Sequence, residues 1–369
     1  MASSLELFFD LVFVVAVSAA ASSLHHALVE GHTAHGIQSY VLVFFGVWWA
    51  WMNFTWFATS FDTDDWLYRV VTILQMAGVL TLAAGTSPAF EHEDFRIVVA
   101  GYIIMRVAMV LQWLRAARAP GRSRRAALFY AGGIAVVQVL WVVWLFLPHG
   151  ILVPLFVLFA LMELAVPVIA ENVGGTPWHP HHITERYGLF TLILLGESLL
   201  ASSNAVIEAL SSDVELLPLL GIAALTLVVT ASLWWIYFWA PHHRSISTFA
   251  RSLRYGYAHY AIFAAAGAFS AGVEVQIDSI AHGAHLNHLL VSYTMSLPVA
   301  VFLLGVWWVA MRDHAPRAVN IAVPAGALCI LAEPLVSFPM VVTAAVLVVI
   351  VVVLVACPPT PERGVSPSS

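Results

Sequence analysis

Long apolar stretches alternate with short polar breaks from one end of the chain to the other. Twelve of them are long enough to be helices that cross a bilayer, at roughly 5–24, 40–61, 66–87, 96–114, 126–147, 150–171, 185–208, 216–240, 254–277, 290–311, 319–338 and 339–357. A membrane-spanning helix needs about 20 predominantly apolar residues. The last pair is the least defined. Glu333, Pro334 and Pro339 interrupt one continuous apolar stretch, so it reads either as two spans or as one span plus a re-entrant piece. The fold class expected is therefore all-α: a polytopic integral membrane helical bundle of about 12 transmembrane helices.

Composition narrows the picture further. Of 369 residues, 61% are hydrophobic and 10% charged, against about 25% charged in a soluble domain, and the mean hydropathy is +0.89. An ordinary cytoplasmic enzyme, a nucleic-acid binder and a disordered chain are all excluded, and the first partner is the lipid bilayer itself. The two cysteines, Cys329 and Cys357, lie in apolar runs and offer no disulfide framework. The first run carries Glu6 and Asp10 and no basic segment precedes it, so no cleavable signal peptide is expected.

The 15 basic residues are all arginine, and they sort by side. Arg115, Arg118, Arg122, Arg124 and Arg125 follow the fourth span; Arg244, Arg251 and Arg254 follow the eighth; Arg312 and Arg317 follow the tenth. The opposite loops are acidic or histidine-rich, with Glu91, Glu93, Asp94, Asp213, Glu215, His282, His285 and His288. Cytoplasmic loops hold the basic excess, which places both termini in the cytoplasm. The halves also resemble each other. Trp48-Trp49 recurs as Trp234-Trp235, and Gln112-Trp113-Leu114 before Pro120 recurs as Trp307-Trp308-Val309 before Pro316. Six spans separate each pair, which suggests a parallel 6+6 repeat about an axis along the membrane normal. The division expected is 1–180, 181–357 and a short polar cytoplasmic tail at 358–369. The paired tryptophans read as interfacial or packing residues.

A charge at the bilayer centre costs about 2.5–3.5 kcal/mol even on the lenient insertion scale, so each intramembrane ionisable group needs a partner or a task. Asp10, Arg106, Glu163, Glu197, Glu274 and Glu333 are such groups, with His259 less deep. Glu6 and Asp10 share a helix face. They repel unless one is protonated or a cation lies between them; alternatively Glu6 faces water and stabilises its helix N-terminus. In the seventh span His182, Glu185 and Arg186 have the spacing of one polar cluster, and Glu197 lies about 18 Å deeper than Glu185 at the helical rise. Gly196 beside it is expected to admit a close neighbour helix. Asp10, Glu197, His259 and Glu274 are the candidate lining of a substrate or ion pathway, with Arg106 as counter-charge. A purely structural Arg–Glu pair is the competing reading.

Asp62, Asp64 and Asp65 precede the third span. Three acids so close can hold Mg²⁺, or they can cap the helix. His25, His26, His32 and His35 in an outer segment either capture Zn²⁺ or Cu²⁺ or are merely polar. G-x-S-x-G, P-loop and H-E-x-x-H motifs are absent.

Glu6-Leu7-Phe8-Phe9-Asp10-Leu11-Val12-Phe13, Phe61-Asp62-Thr63-Asp64-Asp65, Glu185-Arg186-Tyr187-Gly188-Leu189-Phe190, Leu195-Gly196-Glu197-Ser198, and His259 with Ala271-Gly272-Val273-Glu274 together resemble the bacterial low-temperature-requirement A (LtrA) family. The resemblance implies a multi-pass protein of the bacterial cytoplasmic membrane. It implies no substrate and no catalytic residues. Three functional readings follow: a secondary transporter or ion/proton pathway for a small ion or small molecule; a membrane-embedded enzyme acting on a lipid or isoprenoid, with Mg²⁺ at Asp62–Asp65; or a non-catalytic stress-response membrane protein. Homo-oligomerisation stays open.

Overall fold

The computed structural model describes residues 2–210, 216–281, 287–336 and 338–359. Every regular element among them is helical. The α-helices are α1 (Ser4–Val29), α2 (Thr33–Phe61), α3 (Trp66–Ala84), α4 (Thr86–His92), α5 (Arg96–Ala116), α6 (Ser123–Trp144), α7 (Leu152–Val173), α8 (Pro180–Ala209), α9 (Leu216–Trp239), α10 (Phe249–Ala281), α11 (His288–Val306), α12 (Arg317–Ala332) and α13 (Pro339–Ala356). With α3 and α4 taken as one segment running through Gly85, twelve segments among the described residues are long and apolar enough to cross a membrane. The interrupted stretch near the end forms two helices joined by a 3₁₀ turn at Glu333–Leu335.

Several helices run further than the hydropathy pattern predicts. His25 and His26 lie in the last turns of α1, His35 lies within α2, and α8 takes in His181 and His182. An apolar reading stops at the first polar residue, whereas an established helix propagates through it at little cost. The starts of α1 and α3 have specific chemical causes. Ser3 and Glu6 form a reciprocal capping box on α1, and the Asp65 side chain accepts from the Tyr68 N–H at the head of α3. Each of these caps satisfies N–H groups that the first helical turn leaves without partners.

The chain divides into two compact units, Met1–Ile193 and Leu194–Ser369. In the first unit α1 packs on α2 and α3, α3 on α5, and α6 on α5 and α7. The α3–α5 seam depends on two glycines. A Cβ added at Gly101 would come within 2.4 Å of the Leu82 nitrogen and 2.5 Å of the Gly78 oxygen, so the backbones meet directly. In the second unit α10 packs on α11, α11 on α12, and α13 on α9 and α12. Both units present apolar side chains outward, among them Val157, Leu158 and Leu161 on α7 and Val348, Val349 and Val352 on α13. Such a surface suits lipid as its solvent.

Candidate functional site

The first unit gathers its buried charges into two separate centres. The first sits where α1, α2 and α8 meet. The capping box fixes Glu6: the Ser3 N–H donates to its Oε2 at 2.7 Å. The same carboxylate is buried and faces His182 Nε2 at 3.2 Å and the Arg186 guanidinium at 3.3 Å. One helical turn deeper, Arg186 also pairs with Asp10, and the Trp51 indole N–H donates to the same Asp10 oxygen at 2.7 Å. Glu6 therefore caps its helix and joins an ion-pair network at once. The cation expected between the two carboxylates is the protein's own Arg186.

Aromatic rings enclose this charge. The guanidinium lies 5.4 Å from the Phe54 centroid, 5.8 Å from Trp51 and 5.9 Å from Phe9. Trp51 stacks on Phe190 at 4.5 Å, and Trp56 donates to the Tyr187 hydroxyl at 3.2 Å. Asp10 and Arg186 are both fully covered, yet among the described residues Asp10 Oδ2 and Arg186 Nε have no hydrogen-bond partner. His182 is partly exposed at the rim of the node. Glu185, predicted as part of the same cluster, lies on the exposed side of α8.

The second centre is built on Glu163 of α7. One carboxylate oxygen accepts from the Trp49 indole at 2.9 Å and pairs with Arg106; the other accepts from the Tyr102 hydroxyl at 3.0 Å and the Trp141 indole at 3.3 Å. Arg106 is thus the counter-charge of Glu163, and Asp10 takes Arg186 instead. Trp48 and Trp49 are buried rather than interfacial, while Trp234 and Trp235 are well exposed. Trp49, Trp51 and Trp141 donate to the buried acids, a role the sequence reading did not assign them. The signal was present, because a buried indole N–H needs an acceptor and few acids were available to provide one.

In the second unit His259 belongs to a Tyr–His network. Its Nδ1 lies 2.7 Å from the Tyr255 carbonyl, and its Nε2 lies 3.0 Å from the Tyr237 hydroxyl. His242, in the 3₁₀ turn between α9 and α10, has Nε2 at 2.7 Å from the Tyr237 carbonyl and Nδ1 at 2.9 Å from the Tyr255 hydroxyl. A carbonyl only accepts. His259 therefore carries its proton on Nδ1 and His242 on Nε2, and each other nitrogen receives a tyrosine O–H. Burial pushes His242 down to about 4. Glu274 interacts electrostatically with Asp278 and Glu197, which brings three acids of this unit into one field. Gly196 is exposed, and among the described residues an added Cβ there would meet nothing within 4 Å. The close helix contact expected at that glycine is made instead by Gly272, whose Cβ would fall 2.3 Å from the Thr294 oxygen. Glu333 is buried and accepts from the Thr343 hydroxyl.

The acids offered for Mg²⁺ are otherwise engaged. Asp65 caps α3 and pairs with Arg115; Asp64 is held by Arg69 at 2.8 Å; Asp62 accepts from the Asp64 N–H. The Asp64 carboxyl is lowered chiefly by its Arg69 hydrogen bond, the Asp65 carboxyl is lowered chiefly by the backbone N–H of Tyr68, and burial raises Asp62. Among the described residues no three His, Cys, Asp or Glu side chains come together as a metal site. This covers His25, His26, His32 and His35. A cavity of about 920 Å³ does collect His26, His32, His35, Glu30, Glu91 and Glu93 along its wall. Asp213, Glu215, His282 and His285 lie outside the described residues.

Twelve apolar helical segments with charged pairs sealed between them define a polytopic membrane protein. The model of the bacterial low temperature requirement A protein (LtrA) family matches residues 1–356, and the chain belongs to that family. It is also similar to "Uncharacterized protein RA0937" of Rhizobium meliloti (strain 1021), 28% identical over 247 residues. That match covers 64% of this chain and 58% of the relative.

Proposed function

We propose that this LtrA-family protein is a secondary transporter or ion pathway of the bacterial cytoplasmic membrane, with both termini in the cytoplasm. The observation that carries the reading is the incomplete pairing of Asp10. Glu163 has donors on both of its oxygens, as a structural acid does. Asp10 is equally buried, and among the described residues its Oδ2 meets no donor. A buried ion pair is retained at a desolvation cost of several kcal/mol per ion, and an unfilled carboxylate oxygen inside it adds to that cost.

An incoming proton or small cation competes with Arg186 for Asp10. His182, at the rim, contacts Glu6; Glu6 contacts Arg186; Arg186 contacts Asp10. The order runs from the accessible histidine to the sealed carboxylate, and neutralising Asp10 releases the guanidinium to Glu6. Glu197 and Glu274 are the corresponding acids of the second unit. The Mg²⁺-dependent lipid enzyme is the weaker reading, because Asp64 and Asp65 already serve arginines and a helix cap.

Purified protein in liposomes loaded with a pH-sensitive dye tests this under an imposed potassium diffusion potential. Wild-type vesicles should carry a proton flux above protein-free vesicles, and Asp10→Asn should abolish it. Glu197→Gln and Glu274→Gln should reduce it. Absence of wild-type flux, or flux indifferent to all three substitutions, defeats the proposal.

A further inference from the structure

A pocket separate from the Asp10 node lies where the α2–α3 loop meets the end of α5. It has a volume of about 340 Å³ and is walled by Phe57, Phe61, Thr63, Gln112, Arg115 and Arg118. Arg115 uses one terminal nitrogen, Nη2, for the Thr63 hydroxyl at 3.2 Å and for Asp65. Its other terminal nitrogen, Nη1, is buried and has no partner among the described residues. Phe57 and Phe61 rest on Trp113 at ring distances of 4.9 and 5.7 Å, and Trp113 stacks on Tyr130 at 4.0 Å, so the apolar wall is rigidly backed.

The charge around the pocket is predominantly positive. Arg115, Arg118, Arg122, Arg124 and Arg125 fall within eleven residues, and no acid occurs between Asp94 and Glu163. Of the nearby acids, Asp64 and Asp65 are paired with Arg69 and Arg115, and Asp62 accepts from the Asp64 N–H, so the arginines outnumber the acids left over. A second cation is therefore repelled here, and an oxyanion is attracted. The guanidinium fork matches phosphate oxygens, and arginines at the membrane edge favour anionic headgroups.

We infer that this pocket binds a phosphate-bearing anion, its oxygens held by Arg115 and Arg118 and its apolar part laid against Phe57 and Phe61. The phosphate comes from an anionic phospholipid headgroup or from a soluble phosphate. In either case the arginines meet it directly, without Mg²⁺ at Asp62, Asp64 and Asp65.

Native mass spectrometry of the delipidated full chain separates the outcomes. The protein is titrated with dioleoylphosphatidylglycerol, with dioleoylphosphatidylcholine, and with phosphatidylglycerol in the presence of inorganic phosphate. Phosphatidylglycerol should be retained in preference to phosphatidylcholine, and Arg118→Gln should lower its retention about fivefold. Arg124→Gln, in the first turn of α6 and outside the pocket wall, should lower it much less. Arg118→Gln leaves the Asp65–Arg115 contact intact, and an unchanged thermal midpoint verifies the fold. Displacement by millimolar inorganic phosphate, lost in Arg118→Gln, assigns the same site to a soluble phosphate. Equal retention of both lipids with no phosphate effect overturns the inference. So does an equal loss in Arg118→Gln and Arg124→Gln, which makes the attraction diffuse.

Discussion

Glu163 and Asp10 show how differently two buried carboxylates of one unit can be treated. Glu163 collects three neutral donors and one guanidinium. Removing one partner of a buried pair costs about 3–5 kcal/mol, so Glu163→Leu should lower the thermal midpoint in detergent severely. Glu163→Gln keeps an acceptor for the indoles and the tyrosine and should cost less. Equal midpoints for the two variants would mean that the hydrogen bonds contribute nothing. Trp51→Phe preserves an aromatic ring for stacking on Phe190 and removes the donor to Asp10, worth about 1.5–3 kcal/mol for a bond to a charged group. It should destabilise by that amount without disturbing helix content by circular dichroism. Glu6, Asp10 and Arg186 were legible as candidates because charges stand out in apolar runs. Their pairing was not legible, because Glu6 and Arg186 lie 180 positions apart and spacing within one helix says nothing about contacts between helices.

At the scale of elements, seams and turns carry the argument. Gly78 and Gly101 let the backbones of α3 and α5 touch. Gly101→Ala should cost about 1–3 kcal/mol, as overpacking does, whereas Gly132→Ala, with nothing among the described residues within 4 Å of the added carbon, should not lower the midpoint. Thermal unfolding compares the pair directly. The turn before α10 depends on neutral His242. Its folded value of about 4 lies below the ordinary 6.5, so the unfolded chain takes up a proton first as pH falls. Stability is fully present above about 6.5, declines between there and about 4, and levels off below. The midpoint should fall over that window in the wild type, and His242→Gln should remove that share of the fall. The helix positions themselves were readable from hydropathy, since the bilayer sets their length. Their ends were not, because caps such as Ser3 and polar extensions such as His181–His182 lie outside the apolar pattern.

For the whole molecule, the arginine distribution predicts one cytoplasmic face. With Cys329 and Cys357 replaced by serine, a cysteine at Arg124 should resist a membrane-impermeant maleimide in right-side-out vesicles, and one at Asp94 should react. The reverse result inverts the topology. Arginine sorting and apolar length are properties of the linear chain, and they were enough to specify a multi-pass helical membrane protein. Which acid met which base was decided only in three dimensions. Arg106 went to Glu163, Arg186 to Glu6 and Asp10, and Arg115 to Asp65. The physical reason is that insertion into lipid depends on the summed hydrophobicity of a segment, which is additive along the sequence. Charge pairing depends on which helix faces meet, and only packing determines that.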